Sequence, residues 1–170
     1  DEHIYLNETA SLFSNHSVGF STFNELKKIE AFSYEWSGKK YKEIKVKDYK
    51  IKDELDNVFH DDFKTINFIY PKLAKGSKTK VTTEENITNP RFLKPFFLGG
   101  AHPYQNSKIT INVDKNINLV FKNFNTQSVN LNFKKEEKKN KIIYHWEAEN
   151  VSSIKHESQT PNYRNYYPHI

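Results

Sequence analysis

Ser107-Lys108-Ile109-Thr110-Ile111-Asn112-Val113 is the stretch that decides the fold. Polar and apolar residues alternate through it, so Ile109, Ile111 and Val113 share one face of an extended chain. A helix would need apolar residues at i, i+3, i+4 and i+7, and this stretch offers none of that spacing. The pattern continues downstream. Asp114-Lys115-Asn116 reads as a turn, residues 117–121 as the next strand, and Val129-Asn130-Leu131-Asn132-Phe133 alternates again. Residues 141–148 are rich in β-formers. Between the last two lies Lys134-Lys135-Glu136-Glu137-Lys138-Lys139-Asn140-Lys141, which reads as a solvated hairpin loop. Together these segments predict a meander of antiparallel strands, each buried on one face.

The first half follows the same logic. Residues 17–23 alternate, and residues 29–36 run into Ser37-Gly38-Lys39-Lys40 before residues 41–46 resume, which is strand, glycine-containing loop, strand. Residues 63–70 form a further strand that stops at Pro71, because proline has no N–H for a ladder. Residues 78–87 follow as another. Residues 25–29 and 52–59 are each expected to form no more than a helical turn. The fold class expected is therefore all-β: an antiparallel β-sandwich of roughly 9–12 strands with little helix. A single domain spans 1–170, with 1–25 read as a truncated start and 161–170 as a linker toward a following domain.

Composition narrows the chemistry. In 170 residues there are 0 Cys and 0 Met. Without Cys there is no disulfide, thiolate nucleophile, thiolate-held zinc or iron–sulfur cluster. Without Met at position 1, Asp1 is not a translation start. The aromatic share of 15% argues against disorder. No apolar run approaches the ~18–20 residues that a membrane helix needs. The net charge of +5 raises a polyanion as partner, but Arg91 and Arg164 are the only arginines and the lysines are mixed with acids. Solvated strand faces explain the charge better, and no nucleic-acid partner is expected.

Candidate sites are few. Among 7 His, none pairs with another at helical i, i+4 spacing. His60-Asp61-Asp62 is the one knot of histidine and acid; as a metal site it would need ligands from elsewhere, and a polar turn before a strand is the favoured reading. No Gly-x-Ser-x-Gly elbow or glycine-rich phosphate loop is present, and no cofactor is expected. The aromatics offer a binding surface. Trp36, Trp146, Tyr163, Tyr166 and Tyr167 could form a platform for a sugar or peptide, although strand tryptophans more often fill a sandwich core.

A longer pattern then emerges. Val58-Phe59-His60-Asp61-Asp62-Phe63-Lys64 precedes Asn67-Phe68-Ile69-Tyr70-Pro71-Lys72-Leu73-Ala74-Lys75-Gly76-Ser77. Asn89-Pro90-Arg91-Phe92-Leu93, then Tyr144-His145-Trp146, then Glu157-Ser158-Gln159-Thr160-Pro161 and Pro168-His169-Ile170 follow in order. From about residue 26 to 170 this resembles the domain of unknown function, of the family 3857 type, that stands N-terminal to transglutaminase-like domains in envelope proteins of Bacteroidetes. The resemblance implies a β-sandwich followed by a papain-like domain with a Cys-His-Asp triad in an exported protein. With no Cys, the family's nucleophile maps onto no position here. The expectation is a non-catalytic accessory or docking domain, extracytoplasmic, binding a catalytic domain, a peptide or an envelope partner; the alternative is a carbohydrate-binding module.

Overall fold

A computed structural model describes residues 1–53, 62–155, 162 and 165–170. The chain divides into two compact units, Asp1–Leu93 and Lys94–Ile170, where the sequence reads as one domain. No Gly- or Ser-rich stretch marks the boundary, which falls among Asn89-Pro90-Arg91-Phe92-Leu93.

The first unit holds strands β1 (Glu2–Ile4), β2 (Asn15–Phe20), β3 (Asn24–Trp36), β4 (Tyr41–Lys45), β5 (Lys50–Asp53), β6 (Lys64–Ile69) and β7 (Lys78–Ile87). They form one sheet in the order β1-β7-β3-β4 and another in the order β2-β6-β5, with every pairing antiparallel. Ala31 of β3 and Val81 of β7 meet Phe68 of β6, Val46 and Tyr70 in one core, with Val18, Ile29, Tyr49 and Leu73 packed around it. The sheets thus face each other across a shared apolar layer, the two-layer arrangement of a sandwich. Period-two alternation accounts for it: Ala31 and Ser33 are 0% exposed, while Trp36, on the other face of the same strand, is 43% exposed.

The hairpin expected at residues 37–40 is present, with Ser37 N–H donating to the Lys40 carbonyl at 3.1 Å and Gly38 at φ +85°. Residues 25–29 are not a helical turn. They belong to β3, paired along β7 from Asn24↔Ile87 onward, with one irregularity between Leu26 and Lys28. Long-range pairing overrides a weak local preference. Lys50–Asp53 likewise extends as β5 instead of starting a turn, and residues 54–59 lie outside the described residues.

Two polar residues in this core have measurable consequences. The Ser33 hydroxyl oxygen is buried and finds no hydrogen-bond partner among the described residues. A buried hydroxyl without a partner has given up its water for nothing. Ser33→Ala is therefore expected to leave stability unchanged or raise it by up to about 1 kcal/mol in urea unfolding. A loss above about 1 kcal/mol would mean that the hydroxyl is satisfied after all.

His16 of β2 packs half-buried against Phe68, with ring centroids 5.2 Å apart, and against Tyr70 at 5.7 Å. Burial first, then repulsion from His3, holds its imidazole below the usual 6.5. The unfolded chain therefore takes up this proton at a higher pH than the folded chain does. Stability from this group is whole above about pH 6.5 and is lost as pH falls below it. Melting curves should show Tm dropping between about pH 7 and 5, with a shallower drop in His16→Gln. Parallel slopes would assign the effect to another group. Tyr70 moves the opposite way: burial, then Tyr5 and Tyr49, push its hydroxyl up to about 12, so it stays neutral in the core.

The second unit holds β8 (Tyr104–Asp114), β9 (Leu131–Glu137) and β10 (Lys141–Val151) in the order β8-β10-β9. Antiparallel register places Trp146 opposite Ile109 and Phe133, and Tyr144 opposite Ile111. The deciding stretch at residues 107–113 is thus a strand with the face expected of it. Residues 117–121, expected as a strand, are not one. They cross as an irregular strap that sends Leu119 and Phe121 into the core beside Val113, Tyr144 and Trp146, while Val120 is 80% exposed. Alternation reports which side chains face a core; it does not require a ladder partner. The turn before the strap is as expected, with Asn116 N–H donating to Asp114 Oδ1 at 2.9 Å. The lysine-rich run is strand as far as Glu137, so the reversal is shorter than expected, with Lys138 N–H bonded to the Lys141 carbonyl at 2.8 Å.

The tail needs a correction. Residues 165–170, expected as part of a linker, are built into the second unit. Leu98 N–H donates to the Pro168 carbonyl at 2.9 Å, and Phe96 and Ile170 exchange two N–H···O bonds at 3.0 Å. His169 exchanges two more with Phe124, at 2.9 and 3.0 Å. Ile170 packs against the Leu98–Ala148–Val151 cluster and the Val113–Tyr144–Trp146 cluster alike. The tail's lack of periodicity concealed this, because a bridge of three residues is too short to show a pattern.

Candidate functional site

The two tryptophans part company. Trp146 is 3% exposed, packed on Phe121 at 4.7 Å and Phe133 at 5.1 Å, and offers no face to a ligand. It belongs to the core, as strand tryptophans usually do. Trp36, for which a core position was equally expected, stands on the surface. Tyr166 and Tyr167 are partly exposed in the second unit, edge to face at 4.9 Å, and Tyr163 lies outside the described residues.

Of the metal candidates, His60 and Asp61 lie outside the described residues. Asp62 accepts hydrogen bonds from the Thr22 N–H at 2.9 Å and from the Thr22 hydroxyl, which makes it a clamp on the β2–β3 connection. Among the described residues no three His, Asp or Glu side chains gather as a metal site would require.

The strongest surface feature grows from the β3–β4 hairpin. Its last pair is Trp36↔Tyr41, with ring centroids 4.8 Å apart. Two residues back on the same face, Tyr34 lies between Glu43 of β4 and Lys78 of β7, and next in line Phe32 lies between Lys45 and Lys80. Because Ala31 and Ser33 point inward, Phe32, Tyr34 and Trp36 form a row of rings on the outward face. Lys78 Nζ sits 4.6 Å from the Tyr41 ring centre and Lys45 Nζ 5.7 Å from that of Phe32, both within cation–π range. Burial first, then the hydrogen bond and charge of Glu43, raise the Tyr34 hydroxyl above its usual 10.0. Glu30 holds Lys28 at 2.9 Å and Lys45 at 3.6 Å.

Gly76 fixes the indole. It precedes β7 at φ +82°, and a Cβ there would come within 3.1 Å of Trp36 Cδ1. Glycine serves this position twice over: it tolerates the left-handed backbone and leaves the indole room to lie across it. The Trp36–Tyr41 pairing was legible in the hairpin signal at residues 37–40. The contribution of Gly76 and Lys78 was not, since β3 and β7 are joined only by long-range register.

A second arrangement has the outline of a hydrolytic relay. On the polar face of β8-β10-β9, Thr110 Oγ1 lies 3.2 Å from His145 Nδ1, and Glu136 Oε1 lies 3.8 Å from His145 Nε2. Thr110 and Lys134 are the ladder partners of His145 on its two sides, so the three side chains stand next to one another on one sheet face. Glu136 is also paired with Lys134 at 2.8 Å, and that hydrogen bond, more than the charge alone, holds its carboxyl below the usual 4.5. Lys108–Glu147 and Lys135–Glu137 complete a set of exposed ion pairs, as expected of solvated strand faces.

The family described as Domain of Unknown Function with solved-structure structure (DUF3857) matches residues 4–155. The chain belongs to the DUF3857 family. No curated protein sequence matches it. Its fold is similar to that in the crystal structure of a "putative protease" from Parabacteroides distasonis, with a TM-score of 0.77 and 17% identity. The match covers 99% of this chain and 34% of that one, so the DUF3857 chain spans about a third of the length of that protein. Within the DUF3857 match lie the Trp36 ring row and the Thr110–His145–Glu136 arrangement; Tyr166 and Tyr167 lie beyond it.

Proposed function

We propose that this DUF3857 chain is a non-catalytic accessory domain of an exported, transglutaminase-like protein, where it docks or positions a catalytic domain or binds a peptide or envelope partner. The observation that carries this reading is the fold match: an all-β fold of this size takes up 34% of a longer chain called a "putative protease". The absence of Cys supports it, since the thiolate of a Cys-His-Asp triad must come from elsewhere. The setting would be extracytoplasmic, and nucleic acid would not be a partner.

Two measurements test the proposal. The purified chain, incubated with casein and with a glutamine-donor peptide plus amine, should neither cleave nor cross-link above a buffer blank. Turnover that co-purifies with the chain and disappears in His145→Ala would overturn the non-catalytic reading. The reading frame that encodes the chain should also supply an export signal and a Cys-His-Asp domain. A frame carrying neither would overturn the accessory reading.

A further inference from the structure

The outward face of the β1-β7-β3-β4 sheet carries a feature that an accessory role does not explain. Phe32, Tyr34 and Trp36 follow one another at period two along β3, and rings on alternate strand residues stand about 6.5–7 Å apart. Trp36 and Tyr41, at the end of this row, are 43% and 38% exposed, although a tight hairpin can form without two large rings at its last pair. The indole is also held in place by Gly76 on one side and Tyr41 on the other, so little rotamer freedom remains to be lost on binding.

The charges around the rings select the ligand. Lys28, Lys45, Lys78 and Lys80 share this face with Glu2, Glu30, Glu43 and Glu84, so basic and acidic groups cancel. A nucleic-acid backbone needs a surplus of positive charge to displace its counterions, and this face supplies none. A protein partner would prefer an apolar interface centre poor in charge, whereas here charged side chains flank Phe32 and Tyr34 on both sides and Lys78 lies over Tyr41. A neutral sugar fits both facts. The C–H face of a pyranose lies flat on an aromatic ring, and its hydroxyls both donate and accept, which suits mixed carboxylates and ammonium groups.

We propose that this sheet face binds a neutral, linear polysaccharide, with Trp36 and Tyr41 stacking on sugar rings and Tyr34, Glu43 and Lys78 taking the neighbouring hydroxyls. The contacts are few and solvent-exposed, so affinity comes from repeated units along the polymer and not from one tight pocket.

Native affinity electrophoresis of the 170-residue chain tests this directly. Gels would contain soluble mixed-linkage β-glucan, xyloglucan, galactomannan or arabinoxylan, with a single-stranded oligothymidylate as the polyanion control. The expected result is retardation in at least one polysaccharide gel, weakened about tenfold or more in Trp36→Ala, with an unchanged circular dichroism spectrum. Phe133→Ala, at an exposed ring of the second unit, should bind like the parent. Since Trp146 is buried, acrylamide quenching reports Trp36, and the bound polysaccharide should reduce it. If Trp36→Ala fails to fold, Tyr41→Ala takes its place in the same gel. Lack of retardation in all the polysaccharide gels would overturn the proposal. So would retardation that survives both substitutions, or binding to the oligothymidylate alone.

Discussion

Trp146→Ala is expected to destabilise the second unit by about 3–5 kcal/mol. The indole is 3% exposed and contacts Phe121, Phe133 and Tyr144, with centroids 4.7, 5.1 and 6.0 Å away. Truncation removes the transfer free energy of the ring and leaves a cavity that a sheet, held in register on both sides of β10, closes poorly. Phe121 sits on an irregular strap, so part of the cavity can be filled by movement of the strap, which puts the value toward the lower end of the range. Urea unfolding followed by circular dichroism measures it. A loss below about 1 kcal/mol would mean that the ring is not a core residue in solution.

Phe68→Ala should cost a similar amount, about 3–5 kcal/mol, in the first unit. Phe68 is 4% exposed on β6 and meets rings from three directions: Tyr49 at 5.3 Å, Tyr70 at 5.2 Å and His16 at 5.2 Å. It is also the side chain by which the smaller sheet reaches Ala31 and Val81 of the larger one. Phe68→Leu keeps most of the volume and should cost less than half as much, because the ring contacts are lost without a large void. Equal losses for the two substitutions would show that ring geometry, and not filled volume, is what this core depends on.

Both predictions rest on strands that the sequence announces. Alternation at residues 107–113 and 141–148 places Ile109 and Trp146 on strands whose apolar sides face one core, and antiparallel pairing then brings them opposite each other. The hairpin at residues 37–40 sets Trp36 against Tyr41 for the same local reason. Where the expectation failed, the cause was long-range. Residues 25–29 are strand because β7 lies alongside, and residues 117–121 are strap, joining neither edge of the β8-β10-β9 sheet while Leu119 and Phe121 pack into its core. Of the candidate site, Trp36 was legible, while its setting was not. Exposure of Trp36 and burial of Trp146 cannot be told apart from two tryptophans on two β-rich segments.

Alternation, hairpin chemistry and the lack of Cys thus settle by themselves that the chain is all-β and antiparallel, and that it carries no thiol chemistry. These follow from local periodicity and residue identity, which a sequence states outright. Tertiary structure alone decides that there are two compact units, that the tail closes the second, and that an aromatic row stands outward beside balanced lysines and glutamates. Those depend on which strands find each other across tens of residues, and on which face of each sheet is covered once they have.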